Sequence, residues 1–417
     1  MTNIGIIGLG TIGSGVVSIL KNNSELIEKR TGIALNIKKV CNLHKDKAES
    51  LGLIEKHTTD YKEIINDKDI DIVIELVGGY EPARTIIEEA LKSKKHVVTA
   101  NKAVIAKHGN ELFKTAEENN VSLLFEAAVG GCVPIIKSLK QSFASERIKS
   151  IYGILNGTTN YILTRMKEGM SYEDALKKAQ ELGFAEPDPT FDVEGLDASQ
   201  KLAILSSLAF NHKINDKIHT EGISKLSKLD IKYANELGYE IKLLAIGKKL
   251  NGEIELRVHP TMISKSHELC SVINEFNAIY INGENITDNM LYGKGAGQLP
   301  TATVIIGDII DIANNNKILN NSFNDITIKD INSIESRYYL RLKVPDVPGV
   351  LAKFSKVLGD NNISISGVQQ KELEKEIVPI VILTHKAIEK DINKAIKEIE
   401  ELDIVKEKPI LIRIEDM

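Results

Sequence analysis

One stretch of the sequence gathers the residue types that acid–base chemistry needs. Residues 182–205, LGFAEPDPTFDVEGLDASQKLAIL, contain five carboxylates and one lysine: Glu186, Asp188, Asp192, Glu194, Asp197 and Lys201. Asp197 and Lys201 are four positions apart, so on a helix they share a face. The simplest interpretation is an exposed ion pair, which contributes about 0.3–0.5 kcal/mol to stability.

Two features of this stretch favour a ligand site instead. The sequence LDASQKLAILSSLAF around the pair is mostly apolar, so its helix is expected to be buried. Pro187 and Pro189 stiffen the acidic loop that precedes it. A rigid set of carboxylates next to a lysine suits a ligand that carries an ammonium group. The carboxylates would bind the amine, and Lys201 could exchange a proton with a hydroxyl group of the ligand.

A second candidate site is the glycine turn near the amino terminus. Residues 3–9, NIGIIGL, predict a buried parallel strand, and GLGTIG follows at 8–13 in G-x-G-x-x-G register. The first glycine would permit a tight turn, the second would let the backbone approach a pyrophosphate, and the third would let a helix pack on the strand. The start of that helix attracts phosphates. The predicted coenzyme-binding residues are Gly8, Gly10, Thr11, Ile12 and Gly13.

Strands and helices alternate after this turn, as in a doubly wound parallel sheet. Strands are expected at 35–43, 70–79, 96–102 and 121–131, and helices at 82–93 and 104–119. Ligands bind beyond the carboxyl ends of such strands. The polar residues and glycines at those ends are Glu75, Gly78, Thr99, Asn101, Lys102 and Glu126. Residues 1–132 are therefore predicted to form an α/β Rossmann domain that binds NAD or NADP.

The end of the second strand bears on the choice of coenzyme. NAD-binding chains place an acidic residue there for the ribose 2′-hydroxyl, whereas here no acid precedes Asp46. His44, Lys45 and Lys47 could meet a 2′-phosphate, or they could be ordinary loop residues. We expect NADP to be favoured over NAD.

Composition argues against several other classes of function. The chain has 417 residues, enough for two or three domains, and a net charge of -5 without a basic stripe, so no nucleic-acid partner is expected. Residues 4–20 are apolar, but their glycines and the absence of a preceding basic residue argue against a membrane span or signal peptide. Three widely spaced cysteines, Cys41, Cys132 and Cys270, favour a reducing cytoplasm.

The pattern changes after residue 132. Strands at 147–155 and 253–263 and helices at 171–182 and 197–210 predict an α+β catalytic and dimerisation domain over 133–315. Its last helix, near 301–315, is expected to return to the nucleotide domain. The polar segment 316–335 predicts a linker. Residues 336–417 read as strand, helix, strand, strand, helix, strand, which predicts a ferredoxin-like βαββαβ fold.

Several separate motifs together resemble homoserine dehydrogenase, and the resemblance covers nearly the whole chain. The motifs are GLGTIG (8–13), ELVGG (75–79), TANK (99–102), EAAVGGCVPII (126–136), LNGTTNYIL (155–163), the stretch 182–205 and GKGAGQLPTA (293–302). Cys132 stands where many members of this family carry glycine. The resemblance implies reversible NAD(P)-dependent oxidation of L-homoserine to L-aspartate 4-semialdehyde, which belongs to threonine, methionine and isoleucine biosynthesis.

The resemblance also implies a catalytic set. Lys201 would donate and accept the proton at the C4 oxygen, and Lys102 would lie close to the nicotinamide and the substrate. Glu186 and Asp197 would hold the substrate, with Asp192 nearby.

Further ligand contacts follow from the same resemblance. The coenzyme or its phosphates would be lined by Gly157, Gly183 and Gly297, although each could equally be a turn glycine. A monovalent cation, usually sodium, would bind near Glu126 at the carbonyl oxygens of Val129, Gly131 and Val133. Oxygen ligands suit such a hard cation.

Residues 344–365, VPDVPGVLAKFSKVLGDNNISI, resemble the ACT domain, a regulatory module that binds amino acids. Asp346, Gly349 and Val350 would form a turn whose N–H groups take a carboxylate, and Asn361 and Asn362 would close the following helix. In this family the module commonly senses L-threonine, and ACT modules usually pair, which implies a homodimer or homotetramer. The alternative is an inert dimerisation module.

Two other functions remain open at this point. One is a dehydrogenase for another small amino-acid alcohol or aldehyde. The other is a coenzyme-binding amino-acid sensor without turnover, against which the intact set of Lys201, Asp197, Glu186 and Lys102 argues.

Overall fold

The computed structural model describes residues 1–214, 218–250, 252–315, 323–371 and 376–417. Backbone contacts divide the chain into two compact units, and neither unit is one continuous segment. The first unit comprises Met1–Gly157, Asp197–Ile218 and Phe276–Ile326. The second unit comprises Thr158–Leu196, His219–Glu275 and Thr327–Met417.

A six-stranded parallel sheet is the largest element of the first unit. From edge to edge its strands are His57–Thr58, Leu35–Cys41, Thr2–Ile7, Ile72–Glu75, His96–Thr99 and Leu123–Leu124. The chain begins in the middle of the sheet and winds outward in both directions, which is the strand order of the Rossmann fold. Central positions such as Ile4, Ile6 and Ile74 are fully buried, because both faces of the sheet are covered. The predicted α/β fold is confirmed.

Seven helices of the first unit accompany this sheet: Thr11–Asn22, Ser24–Thr31, Lys45–Ser50, Lys62–Ile65, Ala83–Lys92, Lys102–Glu118 and Gln298–Ala313. The last of these lies far along the chain, yet its Ile305 and Ile309 belong to the same apolar core as Ile4. It packs closely on the first helix at Gly15, where a Cβ atom would lie 2.9 Å from Gln298. Glycine at this position therefore permits the close approach of the two helices.

The rest of the first unit surrounds one further helix. This helix, Leu196–Phe210, carries Lys201 and is called the lysine helix below. Three antiparallel strands, Asp288–Lys294, Phe276–Gly283 and Ile148–Ile154, lie side by side in that order. The shorter elements are the strand pair His212–Lys213 and Asn324–Asp325, the helical turn Ile135–Lys137 and the π-helical turn Ser138–Ser142.

The prediction of a strand over 121–131 was wrong beyond its first residues. The strand ends at Leu124, and Glu126–Ala128 forms a 3-10 turn instead. The hydrogen bonds of Glu126 explain the change. Its N–H donates to the carboxylate of Asp308, 182 positions further along the chain, at 2.9 Å, and its own carboxylate accepts from the N–H groups of Ile136 and Lys137. These contacts turn the chain out of the sheet.

The second unit combines antiparallel strands with helices. Its helices are Gly157–Lys167, which begins at the last residue of the first unit, Tyr172–Glu181, Thr190–Val193, Lys228–Glu236, Val350–Asp360 and Glu389–Glu400. Its strands are His219–Thr220, Tyr239–Leu250, Glu253–Ser264, Glu335–Pro345, Ile365–Gln370, Ile377–Thr384, Ala387–Ile388 and Ile410–Glu415, and a 3-10 turn covers Glu268–Ser271.

The carboxyl-terminal part has the predicted βαββαβ order. Its main strands lie in the spatial order Ile410–Glu415, Glu335–Pro345, Ile377–Thr384, Ile365–Gln370. Their buried side chains form a core with those of the two helices, for example Tyr338, Phe354 and Ile392. The last strand also pairs in parallel with Glu253–Ser264, with Thr261 opposite Arg413. The module therefore continues a sheet of the second unit.

The predicted linker 316–335 is only partly described. Residues 316–322 lie outside the described residues, and the remainder contains the 3-10 turn Ile331–Ser333. In the described part of the chain, no helix has both the length and the apolar character that crossing a membrane requires.

Candidate active site

The lysine helix brings two lysines to one buried carboxylate. Lys201 Nζ lies 2.7 Å from Asp197 Oδ2 and donates to the Leu155 carbonyl oxygen at 2.7 Å. Lys102 Nζ lies 2.7 Å from Asp197 Oδ1. Asn156 Nδ2 donates to Asp197 Oδ2 at 2.8 Å. Lys201, Lys102 and Asp197, which the sequence nominated as the catalytic set, therefore meet within the first unit.

Burial and charge set the protonation of this cluster. The side chain of Asp197 is 4% exposed, that of Lys201 11% and that of Lys102 33%. Burial opposes ionisation of Asp197, but Lys201 and Lys102 outweigh it and hold the pKa of the carboxyl below its usual range. Asp197 is thus a carboxylate at neutral pH. The exposed ion pair considered from the spacing is excluded.

Lys201 keeps one donor for a ligand. An ammonium group has three N–H bonds, and Asp197 and Leu155 accept two of them. Among the described residues, no other group accepts from Lys201. The third N–H is therefore available to an oxygen atom of a substrate.

Lys102 is positioned by the end of two parallel strands. It is the first residue of the helix Lys102–Glu118, whose cap Asn101 accepts from the Val104 N–H at 3.2 Å. The Asn101 N–H donates to the Thr99 hydroxyl at 3.0 Å, and that hydroxyl donates to Glu75 Oε2 at 2.7 Å. A chain of hydrogen bonds thus fixes the start of this helix to the strand end at Glu75.

The glycine turn fits a dinucleotide. Gly8 has φ +101°, and a Cβ atom on Gly13 would overlap the Gly8 carbonyl oxygen, so strand and helix meet without side chains. A Cβ on Gly10 would meet no atom within 4 Å. Thr11 and Ile12 begin the twelve-residue helix Thr11–Asn22 beside this open space. Backbone N–H groups at such a helix start suit a pyrophosphate.

The end of the second strand presents basic rather than acidic side chains. Cys41 is the last strand residue, and the Asn42 side chain accepts from the Leu9 N–H at 3.1 Å, which supports the glycine turn. Lys45 and Lys47 are exposed on the helix Lys45–Ser50.

Glu126, which was expected near a cation, lies beside a second buried carboxylate, Asp308, which was not among the expected residues. Glu126 and Asp308 are 4% and 5% exposed. Burial raises the pKa of Glu126 to about 7, and burial and then the Glu126 charge raise that of Asp308. Val129 and Val133 are buried, and the Val133 carbonyl accepts from the Ile135 N–H at 2.8 Å. Gly131 has φ +57°, and a Cβ there would lie 2.5 Å from Gly295, so the turn is tight.

The carbonyl groups of Val129, Gly131 and Val133 are candidate ligands for a cation in this turn. No group of three or more histidine, cysteine, aspartate or glutamate side chains within the described ranges could hold a metal ion. A site built on main-chain oxygens would therefore favour a monovalent cation.

The two remaining substrate candidates belong to the second unit. Asp192, half-buried, accepts weakly from the Thr158 hydroxyl at 3.3 Å, and that hydroxyl also contacts the Phe184 carbonyl oxygen at 2.6 Å. Glu186 is exposed, and its main-chain carbonyl accepts from the Gln180 side chain at 3.1 Å.

The three nominated glycines all lie at helix ends. Gly157 begins the helix Gly157–Lys167, Gly183 has φ +74° just after Tyr172–Glu181, and Gly297 has φ +130° at the start of Gln298–Ala313. Their geometry satisfies the turn interpretation and leaves a role in coenzyme binding untested.

The nominated effector residues lie at the two ends of the helix Val350–Asp360. Gly349, with φ +88°, precedes Val350, and Asp346 accepts from the Gln370 side chain at 3.0 Å. Asn361 ends the helix and donates to Glu398 at 2.8 Å, and Asn362 follows with φ +59°.

Sequence reasoning missed Asn156. It lies in the motif LNGTTNYIL, from which only Gly157 was nominated, and it contacts the same oxygen of Asp197 as Lys201 does. Its place two residues after the strand Ile148–Ile154 and next to a nominated glycine was the available signal.

Comparison with known proteins identifies the family of this arrangement. Residues 134–310 match the family model of homoserine dehydrogenase, residues 8–126 that of the homoserine dehydrogenase NAD binding domain, and residues 338–403 that of the ACT domain. The curated homoserine dehydrogenase of Neisseria gonorrhoeae is 45% identical over 100% of this chain and 99% of its own length. That of Bacillus subtilis is 40% identical over 99% and 98%.

Solved structures agree with this result. A homoserine dehydrogenase from Thiobacillus denitrificans superimposes with a TM-score of 0.94 and 42% identity, covering 100% of this chain and 98% of that one. A hyperthermophilic archaeal homoserine dehydrogenase mutant in complex with NADPH gives a TM-score of 0.66 and 29% identity, covering 76% and 99%. The resemblance drawn from the motifs is confirmed.

Proposed function

From the premise that this chain belongs to the homoserine dehydrogenase family, we propose that Lys201 is the group that moves the proton in its reaction. The chain is an oxidoreductase that acts on the hydroxyl group of homoserine. The observation that carries the assignment is the hydrogen bonding of Lys201, which leaves one N–H for the C4 oxygen. The assignment applies to both directions of the reaction, because the same group can return the proton.

The reaction removes a hydride from C4 and a proton from the hydroxyl group, giving L-aspartate 4-semialdehyde. The coenzyme supplies the hydride acceptor. In this direction Lys201 would act as the neutral amine, whose two N–H bonds still reach Asp197 and Leu155 and whose lone pair takes the hydroxyl proton. The ammonium group that forms donates the proton in the reverse direction. Asp197 fixes both ammonium groups, and the second charge, on Lys102, stabilises the alkoxide that develops at the oxygen.

Carboxylates hold the amino group of the substrate in this proposal. Glu186 has no ion-pair partner among the described residues, so its carboxylate is available to an ammonium group. Asp192 and Asp197 complete the set, Asp197 also serving the two lysines. Gly157, Gly183 and Gly297 line the coenzyme.

NADP is the favoured coenzyme in this proposal. The exposed His44, Lys45 and Lys47 suit a 2′-phosphate, and the archaeal relative is described in complex with NADPH. We expect the double variant Lys45→Glu, Lys47→Glu to lower kcat/KM for NADPH by about tenfold or more, since each charge contact is worth about 1 kcal/mol or more. kcat/KM for NADH serves as the internal control and should stay within about threefold. An equal fall for both coenzymes would remove the assignment.

The proposed cation is sodium, bound by Glu126 and the main-chain oxygens of Val129, Gly131 and Val133. The tight turn at Gly131 and the buried acidic residues beside it support the assignment. Dialysis from sodium into a choline salt of equal ionic strength should lower the thermal midpoint of unfolding. An unchanged midpoint would count against the site.

The ACT module is proposed to sense L-threonine. Two ion pairs within the second unit tie the module to the rest of that unit. Arg341 contacts Asp230 at 2.6 Å in a buried pair, and Arg413 contacts the partly exposed Glu221 at 2.8 Å. Two residues after Glu221, the Ile223 N–H donates to the Val193 carbonyl at 2.8 Å, next to Asp192. A change in the module can therefore reach a substrate residue through few contacts.

Assembly and location complete the proposal. ACT modules pair, so we expect a homodimer or homotetramer, and the free thiols of Cys41, Cys132 and Cys270 support a reducing cytoplasm. Functional boundaries are proposed at 1–132 for coenzyme binding, 133–315 for catalysis, 316–335 for the linker and 336–417 for regulation. Light scattering with and without L-threonine measures the assembly state.

A further inference from the structure

Glu75 is a buried carboxylate that the mechanism does not use. It ends the strand Ile72–Glu75 and is 0% exposed. Its Oε1 accepts from the Val77 N–H at 2.7 Å and its Oε2 from the Thr99 hydroxyl at 2.7 Å. No lysine, arginine or histidine of the described residues pairs with it. A buried charge without a cation is costly, so its presence needs an explanation.

Three hydrogen-bond donors point at the Glu75 carboxylate. The Thr99 hydroxyl already accepts from the Asn101 N–H at 3.0 Å, so its own hydrogen is free for Glu75. The Gly78 N–H is a third donor. Burial raises the pKa of Glu75, and the hydrogen bonds from Thr99, Val77 and Gly78 oppose that rise. No other charged group contributes to either effect.

The strand order places Glu75 on the nicotinamide side of the sheet. It lies opposite Ile7 on one side and Thr99 on the other. In a Rossmann fold the pyrophosphate crosses the glycine turn and the adenosine lies toward the second strand. The nicotinamide half of a bound coenzyme would then lie toward the strands that end at Glu75 and Thr99. A Cβ on Gly8 would lie 2.6 Å from the carbonyl oxygen of Leu76, the residue that follows Glu75, so the chain just after Glu75 adjoins the turn.

The reacting centre itself carries excess positive charge. In the absence of substrate, with Lys201 protonated, Lys102 and Lys201 contribute two ammonium groups and Asp197 one carboxylate, so the cluster carries one positive charge. The oxidised nicotinamide ring is also a cation, whereas the reduced ring is neutral. Without a further anion, this centre would favour the reduced coenzyme.

We propose that the Glu75 carboxylate supplies that anion and selects for the oxidised coenzyme. Its charge attracts the cationic ring and has no such effect on the neutral one, and low-dielectric surroundings strengthen the attraction. The role rests on the proposed binding of the coenzyme at the glycine turn. Glu75 acts through its charge and takes no proton from the substrate.

The test compares the dissociation constants of NADP+ and NADPH by calorimetry in the absence of substrate. Glu75→Gln keeps the shape and removes the charge, so Kd(NADP+)/Kd(NADPH) should rise about tenfold, equivalent to about 1.4 kcal/mol. Thr99→Val is the matched control, since it removes a hydrogen bond to Glu75 but leaves the charge. Thr99→Val should weaken the binding of NADP+ and of NADPH by the same factor.

Equal changes for both coenzymes in Glu75→Gln would overturn the proposal and leave Glu75 as a support of the 76–79 loop. Failure of the unmodified chain to bind either coenzyme would instead refute the coenzyme site on which the proposal rests. The unmodified chain gives a second test if Glu75→Gln does not fold. Selectivity for NADP+ should decrease as the pH falls and Glu75 takes up a proton, and burial, which raises the pKa of Glu75, favours that uptake. The 2′-phosphate is common to both coenzymes, and a constant ratio would overturn the proposal.

Discussion

Removal of the charge on Asp197 is the perturbation whose cost can be worked out most directly. Asp197→Asn keeps the shape of the side chain and leaves Lys201 and Lys102 around a neutral amide. An amide has one acceptor oxygen, so it cannot replace both carboxylate oxygens. The variant therefore removes both ion pairs and leaves one neutral acceptor oxygen for the two lysines.

The magnitude follows from the exposure of each lysine. Loss of one partner from a buried ion pair costs about 3–5 kcal/mol. Lys201, with its side chain 11% exposed, falls in that class, whereas Lys102 at 33% is partly solvated and its share is smaller. We expect the free energy of unfolding at pH 7 to fall by about 3 kcal/mol.

Urea denaturation followed by circular dichroism measures this loss. Asp311→Asn is the matched control: Asp311 is also buried, but its partner Lys137 lies 2.6 Å away with 42% of its side chain exposed. The control should cost about 1 kcal/mol. Equal losses in the two variants, or no loss in Asp197→Asn, would refute the assignment of a buried cluster.

The pH dependence has a definite sign. The pKa of Asp197 lies below its unfolded value of 3.8, because the two lysines outweigh burial. The stability that ionisation contributes is complete above the unfolded pKa and is lost only as the pH falls through the folded one. The difference between the unmodified chain and Asp197→Asn should therefore be constant from about pH 7 to about pH 5 and decrease only in stronger acid.

Two further predictions concern coenzyme binding and regulation. A Cβ on Gly10 meets no protein atom within 4 Å, so Gly10→Ala should leave the thermal midpoint of unfolding unchanged. The variant should weaken coenzyme binding about tenfold, because its methyl group would occupy the space of the pyrophosphate. Unchanged affinity in calorimetry would count against the site. Glu221→Gln removes the charge that Arg413 contacts at 2.8 Å. Under the proposed inhibition by L-threonine, the threonine concentration for half-inhibition should rise at least about fivefold while kcat without threonine is retained. Inhibition equal to that of the unmodified chain would exclude this route.

The sequence predicted what depends on local pattern. Alternating strands and helices with a glycine turn indicated the parallel sheet, and the four-residue spacing indicated that Asp197 and Lys201 share a helix face. The contact of Lys102 with Asp197 joins residues far apart in the chain, so only the family resemblance brought them into one set. The Leu155 carbonyl, which occupies one N–H of Lys201, has no side-chain signature at all.

Charged residues concealed one long strand. No strand was expected over Tyr239–Leu250, because its lysines break the apolar pattern, yet residues 240–247 are buried. Lys242 lies 2.9 Å from Glu240 and donates to the Val272 carbonyl at 2.7 Å. Contacts within the fold thus satisfy the charge of Lys242, which the pattern of hydrophobic residues alone would place in solvent.

The central claim is that Lys201 moves the proton at C4, and the most direct test is the turnover of Lys201→Ala together with its affinity for coenzyme. We expect kcat to fall by about 10²–10⁴-fold, the usual contribution of a general acid–base group. The dissociation constant for NADPH should stay within about twofold, because no coenzyme contact is assigned to this side chain. A variant that turns over homoserine at nearly the original rate would contradict the account.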